Sequence, residues 1–434
     1  MGLDLTYNKT LLKEISKINK ENYKNSMEWD YVNYLDTGNL TENKIDKVQR
    51  IDLKTDKLPS RAKRIPSVKN ILYSTVRPNQ RHYGFINKET IPNLLVSTGF
   101  VVLEIDEDKA NPKYVYYYLI QDSIINMLQN IGETSTSAYP SVKVSDIENI
   151  ELNLPTLSEQ EAIADILSSF DNKIENNNAI IANLEEQAQT IFKSWFVDFE
   201  PFQEEEFVDS ELGRIPSGWK AVRFDELIDF KNGYSFKSKE LNDEQHYPDD
   251  LKVFKMGDIK VGGGINPNKT KSWVTREYVR NKKIEDFIAE KGLLLMCMTD
   301  MKNNVNLLGH TALINSSDEY IVNQRVGIIK PKLDSGITSS FLYVLTNNEK
   351  FLDELRARAN SGVQVNLSTK EIKNTQVILP SVNVLNHFNQ ISESIVKLRY
   401  NLEKQNEKLT KIRDTLLPKL MSGEIRVEEA IEVE

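Results

Sequence analysis

Apolar residues recur along one stretch of the chain at alternating steps of four and three. They are Ile163, Leu167, Phe170, Ile174, Ile181, Leu184, Ala188, Ile191 and Trp195, with Asn177 as the polar member of the series. A 3.5-residue repeat keeps these positions on one side of a helix, so the pattern predicts a single long helix from Ile163 to Trp195. The same alternation returns as Phe388, Ile391, Ile395, Leu398, Leu402, Leu409, Ile412 and Leu416, with Gln405 as its central amide. A seam this narrow cannot be buried by its own helix, and each stretch is the other's nearest candidate partner. The two are expected to pair, giving a stiff rod of about 45–50 Å at about 1.5 Å rise per residue.

The pattern elsewhere is mixed. Residues 1–154 read as a compact α+β block. It has a helical start over Leu11–Tyr23, strand-like runs at 70–76 and 94–105, and a helix-like run at 111–131. Leu154-Pro155-Thr156 ends the block, and Ser158 with Glu161 gives a capping-box signature for the start of the long helix. Residues 155–212 form the first helix and a connector broken by Pro201 and an acidic run, with Pro216-Ser217-Gly218 just beyond at the entry to the next block; the charge run reads as a solvated stretch. Residues 213–379 form a second block with strand-like runs at 250–259, 292–299 and 320–330, a glycine-rich turn at Gly262–Gly264 and a helix-like run at 339–357. Residues 380–434 hold the second helix and a tail.

The second block mirrors the first. Asp146–Pro155 aligns with Glu371–Pro380, and the register continues without a gap, placing Leu184 opposite Leu409, Thr190 opposite Thr415 and Trp195 opposite Leu420. The same register sets Tyr118 opposite Tyr343, and one residue of slippage sets Val96–Gly99 opposite Val322–Arg325. This is an internal duplication of block plus helix. The polar turns align poorly, as expected of one architecture used for two targets.

Length and charge refine this picture. A chain of 434 residues suggests two to four domains. Without a long uncharged apolar run or a basic-then-apolar start, it is expected to be soluble, cytoplasmic and without membrane contact. Cys297, the lone cysteine, falls in an apolar run and reads as a buried strand residue. The net charge of −9 is unevenly spread: residues 151–212 carry 15 Asp and Glu against 2 Lys and Arg, while residues 1–150 carry 19 against 20. The large blocks are neutral to slightly basic, which permits a local phosphate-binding face.

Reactive groups do not converge. His82, His246, His310 and His387 are scattered, no metal-ligand spacing appears, and the glycine turn lacks the Lys-Ser/Thr ending of a phosphate loop. The acidic string at Pro248–Lys252 is a weak candidate for a nuclease metal site. Recognition chemistry is better represented. Forked and amide side chains match base edges in DNA, Arg on guanine and Asn or Gln on adenine. The first block offers Arg77, Asn79, Gln80, Arg81 and His82, with a second polar patch at Ser135, Thr136, Ser137 and Tyr139. The second block offers Lys302, Asn303 and Asn304, then Gln324 and Arg325 interrupting a strand, and Ser361 with Gln364. Any one of these could be an ordinary polar loop; their recurrence in both halves favours recognition.

Four segments carry a family resemblance: Leu154–Gln160, Phe192–Phe199, Ile215–Trp219 and Leu417–Ile425. With the order of block, helix, connector and second block, they make the whole chain resemble the specificity subunit of type I restriction-modification systems. The resemblance implies two target-recognition domains separated by two helices packed as an antiparallel coiled coil, each domain reading half of a split double-stranded DNA site. It implies no catalysis and no cofactor in this chain. Two modification subunits would bring S-adenosylmethionine, and restriction subunits would bring ATP, Mg and translocation. Half-sites about one DNA turn apart need readers about 34–36 Å apart, within the span of the predicted rod. The second helix lacks the Ser158–Gln160 and Phe192–Phe196 text, so its partner contacts are expected to differ. A recognition subunit of a related methyltransferase-linked defence system, a coiled-coil scaffold without sequence-specific DNA binding and an intrinsic nuclease are the alternative readings.

Overall fold

The computed structural model describes residues 8–88, 91–134, 139–266, 269–301, 305–361 and 364–427. The chain divides into two compact units, Met1–Asn176 with Gln405–Glu434, and Asn177–Lys404. The division passes through both long helices, Leu157–Phe196 and Val382–Ser422, so each unit owns part of each.

The two units repeat one sheet order. In the first, Ser16–Ile18, Phe100–Ile105, Ile71–Ser74 and Tyr83–Phe85 lie side by side, all antiparallel. In the second, Ile228–Asn232, Val326–Pro331, Leu294–Cys297 and Thr311–Leu313 do the same. The Ile71–Ser74 and Leu294–Cys297 strands are buried along their whole length, as continuous apolar runs covered on both faces should be. Each unit adds a second sheet around a parallel pair, four-stranded about Tyr31–Leu35 with Leu94–Ser97 and three-stranded about Leu251–Phe254 with Tyr320–Val322. Each block closes on an antiparallel pair that leads into its long helix: Asn8–Leu11 on Glu151–Leu154, and Lys220–Arg223 on Gln376–Leu379.

The expected helical start is cut short. Only Leu12–Ile15 is helical, and Ser16 is already extended at φ −139° and ψ 153°. Ile18 then pairs with Leu103, and Asn19 accepts from the Val102 amide, so sheet pairing overrides local helix propensity. The run at 111–131 is two helices, Pro112–Leu119 and Asp122–Glu133, matched by Ser339–Thr346 and Glu349–Ala357. Ser339 follows Pro112 by 227 residues, so Tyr116, rather than Tyr118, stands at the place of Tyr343. Both are buried, whereas Tyr118 is half-exposed.

The first long helix begins earlier than its apolar seam. Thr156 caps it, its hydroxyl accepting from the Glu159 amide at 3.3 Å, so Thr156 replaces Ser158 as the capping residue. Ile163, Leu167 and Phe170 are buried with Leu416, Leu417, Leu420 and Met421 in the core of the first unit, where Leu409 and Ile412 are partly buried. In the second unit Phe192 and Phe196 meet Phe388 edge to face at 5.7 and 4.9 Å, and Glu185 meets Arg399 at 3.0 Å. Going back along the first helix advances along the second, so the two helices run antiparallel within this unit. Asn177 is fully buried, while Ile174, Ile181, Leu184 and Ile191 are half-buried.

The second seam is displaced. Leu398 is 45 % exposed, and Ile391, Ile395 and Leu402 are only half-buried. The buried stripe is instead Leu385, Phe388, Ser392, Val396 and Arg399. A strict 3.5-residue seam describes a helix with one partner, and here the helix has two. It packs on the first long helix and also on Ser339–Thr346 and the turn before it, through Phe341 edge to face with Phe388 at 5.4 Å and Asn389 Nδ2 donating to the Gly336 carbonyl at 2.9 Å. The second contact turns Arg399 inward and Leu398 outward.

The connector is also more ordered than its acidic text implies. Phe207–Ser210 and Gly213–Pro216 form a hairpin, and Trp219 lies 5.0 Å from Phe202 and 5.7 Å from Phe199. Aromatic edge-to-face contacts of this kind each add about 0.5–1.5 kcal/mol beyond simple burial.

Candidate nucleic-acid interface

In the first unit Tyr139 of the second polar patch comes together with the first patch. The chain leaves the buried strand Ile71–Ser74, and Arg77, left-handed at φ 49°, donates its amide to the Pro140 carbonyl at 2.9 Å. Val142 donates to the Thr75 carbonyl at 2.9 Å, which ties the segment after Tyr139 to the same loop. The Arg77 guanidinium lies 4.4 Å from the centroid of the Tyr139 ring, and Tyr139 is 58 % exposed. Stacking on an aromatic face holds a guanidinium flat and leaves its N–H edge available to a forked acceptor. Asn79 and Gln80 are exposed beside it, and the Asn79 amide donates to Gln129 Oε1 at 3.2 Å.

Arg81 and His82 behave differently. Arg81 is ion-paired with Asp122 at 2.6 Å and with Glu42 at 3.6 Å. His82 Nδ1 lies 2.7 Å from the Leu40 carbonyl oxygen, and its Nε2 lies 3.1 Å from Gln80 Oε1. These two residues shape the loop, while Arg77, Asn79 and Gln80 face outward. Ser135, Thr136 and Ser137 lie outside the described residues.

In the second unit Gln324, Arg325 and Gln364 line a single cleft of about 460 Å³. Arg325 Nη1 donates to Gln364 Oε1 at 2.9 Å, joining two candidates 39 residues apart. Asn232, Ser235, Thr299 and Asn366 complete the polar wall, and among the described residues that line it there is no carboxylate. Thr299 Oγ1 donates to Asn366 Oδ1 at 2.8 Å, and Thr369 Oγ1 donates to Asn232 Oδ1 at 2.9 Å. The cleft is therefore a cluster of amides around one guanidinium, the donor and acceptor set suited to base edges. Gly233 makes it possible: a Cβ there would stand 2.3 Å from the Asn323 carbonyl oxygen. Ser361 lies in the strand Asn360–Ser361 that pairs with Gln364–Asn366. Lys302, Asn303 and Asn304 fall outside the described residues. Asn232, Ser235, Thr299 and Asn366 were missed from sequence; the Asn-Gly pair at 232–233 was the available signal.

Each unit also joins a tyrosine, a carboxylate and an arginine, the carboxylate keeping about a third of its side chain exposed in both. In the first, Tyr117 Oη donates to Asp171 Oδ2 at 2.6 Å, and Arg413 Nη1 donates to Asp171 Oδ1 at 2.5 Å. In the second, Arg399 Nη1 donates to Glu185 Oε1 at 3.0 Å and to Tyr343 Oη at 2.5 Å. Burial alone would lower the pKa of Arg399; Tyr343, Glu403 and Glu185 reverse this and hold it above the ordinary value, so it stays charged. Burial pushes the Cys297 thiol up to about 12, which leaves it a packing residue. Among the described residues no group of three or more His, Cys, Asp or Glu could hold a metal ion, and no described helix is long and apolar enough to cross a membrane.

The family model described as type I restriction modification DNA specificity domain matches residues 6–186 and 216–412. The chain belongs to this family, that of the specificity subunits of type I restriction-modification enzymes, and carries its domain twice. It is 25 % identical to the type I restriction enzyme HindI specificity subunit of Haemophilus influenzae, over 90 % of this chain and 94 % of that protein. It is 30 % identical to the MjaIX specificity subunit of Methanocaldococcus jannaschii, over 75 % of this chain and 72 % of that one. The fold resembles the crystal structure of a type I restriction-modification S subunit from M. genitalium, with a TM-score of 0.54, 16 % identity and 97 % of each chain covered.

Proposed function

We propose that each unit reads one half of a split double-stranded DNA site and that the two long helices fix the gap between the halves. The observation that carries this reading is one sheet order built twice with unlike polar faces. Arg77 on Tyr139 with Asn79 and Gln80 forms one face, and the Arg325–Gln364 cleft forms the other. Two copies of a scaffold with different recognition chemistry suit an asymmetric target.

On this reading the chain is a non-catalytic subunit, working in the cytoplasm where its DNA lies. Two modification subunits carry S-adenosylmethionine and methylate the site, and restriction subunits carry ATP and Mg for translocation and cleavage. Methylation sequencing of DNA from cells expressing the modification partner, with and without this chain, tests it. The expected result is a methylated motif of two short halves around a fixed gap, seen only with the chain. An unchanged methylome beside an active partner would leave the chain as a scaffold. Cleavage by the pure chain with a divalent metal would make it a nuclease.

A further inference from the structure

The glycine turn of the second unit does something its sequence does not announce. Lys260 donates its amide to the Gly264 carbonyl at 3.0 Å, and Ile259 bridges Ile265, so the turn is a closed loop. Gly262, Gly263 and Gly264 are all left-handed, at φ 82°, 106° and 90°. Gly262 is open: a Cβ there would have nothing within 4 Å. Gly263 is pressed home, since its Cβ would stand 2.4 Å from Tyr343 Oη and 2.9 Å from Asn347 Nδ2. At Gly264 a Cβ would stand 3.3 Å from Arg399 Nη1. The turn therefore abuts the buried cluster in which Arg399 of the second long helix bonds Tyr343 and Glu185 of the first. The corresponding hairpin of the first unit, Leu40–Thr41 with Lys44–Ile45, bonds the edge strand Tyr83–Phe85 of that unit's antiparallel sheet instead: the Asn43 amide donates to the Tyr83 carbonyl, and Asn43 Oδ1 accepts from the Phe85 amide.

We infer that the Gly263–Gly264 turn seated on Tyr343, Arg399 and Glu185 sets the angle of the second recognition domain on the helix pair. Gly263 and Arg399 are thus positioning residues for the gap between half-sites. The inference rests on the split-site reading and adds to it a second determinant of the gap besides helix length. A domain tilted at this seat carries its base-reading cleft to a new place along the DNA without changing the cleft itself.

The test uses the full methyltransferase complex on a DNA library in which both half-sites are constant and the gap varies. Gly263→Ala is compared with Gly262→Ala, which also bears the strain of a positive φ but meets no collision. Gly263→Ala is expected to lower methylation of the native gap on the order of tenfold relative to neighbouring gaps, since displacements of about 1 Å can cost far more than that. Gly262→Ala keeps the native preference. Tyr343→Phe, which keeps the ring and removes the oxygen that Arg399 bonds, should move the preference in the same direction and serves if Gly263→Ala does not fold. Equal profiles for the two glycine variants, uniform loss over all gaps in Gly263→Ala, or an unmoved profile in Tyr343→Phe would overturn the seat. A wild-type complex without any gap preference would instead overturn the split-site reading itself.

Discussion

The two units share sheet order and closing strands, yet each anchors its recognition block to the helices at a different place. The first uses Asp171 and Arg413, and the second uses Glu185 and Arg399. By the duplication, Val396 stands where a copy of Asp171 would be and Ala188 where a copy of Arg413 would be. The scaffold was inherited twice, whereas the charged anchor was placed separately in each copy. Burial differs as well, the Arg399 side chain being 2 % exposed and that of Arg413 26 %. An ion pair taken out of water adds little net stability over apolar packing but is costly to break from one side, so it specifies an arrangement more than it strengthens one.

The sharpest way to break this comparison is to remove each arginine. Arg399→Ala leaves the buried Tyr343 Oη and the half-buried Glu185 without their guanidinium and is expected to cost about 2–4 kcal/mol, less than a fully buried pair because solvent reaches Glu185. Arg413→Ala, nearer to solvent, should cost about 1.5–3 kcal/mol. Denaturant unfolding of the two variants checks the order, and equal losses would show that depth of burial does not separate the anchors.

Next in size are the two faces. Gln80→Ala is expected to relax one half-site and Gln364→Ala the other, each by about 1–3 kcal/mol of discrimination if the amide reads a base through two hydrogen bonds. Methylation of libraries randomised in one half at a time reads this out. Equal loss over unrelated sequences would mark the residues as phosphate contacts.

The smallest effect is one of pH. Burial holds the pKa of His310 below the ordinary value of 6.5, against the hydrogen bond of its Nδ1 to Asn347 Oδ1 at 3.0 Å and with nearby Arg356 adding to the depression. The unfolded chain therefore takes up the proton first, and stability falls as pH drops below about 6.5 toward the folded value. Thermal melting between pH 7.5 and 5.5 should show this fall, and His310→Gln should flatten it.

Much of the scaffold was legible from apolar spacing and self-alignment. The seam from Ile163 to Ile191, the strand at Leu294–Cys297 and the break at Gln324-Arg325 are local patterns that packing reinforces. The second helix misled because periodicity weights apolar residues. It selects Leu398 and passes over Arg399, whose burial depends on Glu185 and Tyr343 far away in sequence. Hydrogen-bonding faces are legible only in part for the same reason. Gln324, Arg325 and Gln364 stood out as polar groups in loops, but Asn232 and Asn366 join them only through sheet pairing. The connector read as a linker because its acidic residues outweighed the rings of Phe199, Phe202, Phe207 and Trp219 that meet edge to face.

The most direct test of one reader per half-site on a helical ruler is to lengthen the ruler. Equal insertions of whole heptads in both long helices, at Asn178 and at Asn406, preserve the seam and add about 10 Å each at about 1.5 Å per residue. The methylome of the extended chain is predicted to keep both half-sites and to widen only the gap. Altered half-sites, or an unchanged gap in a folded and active complex, would contradict the account.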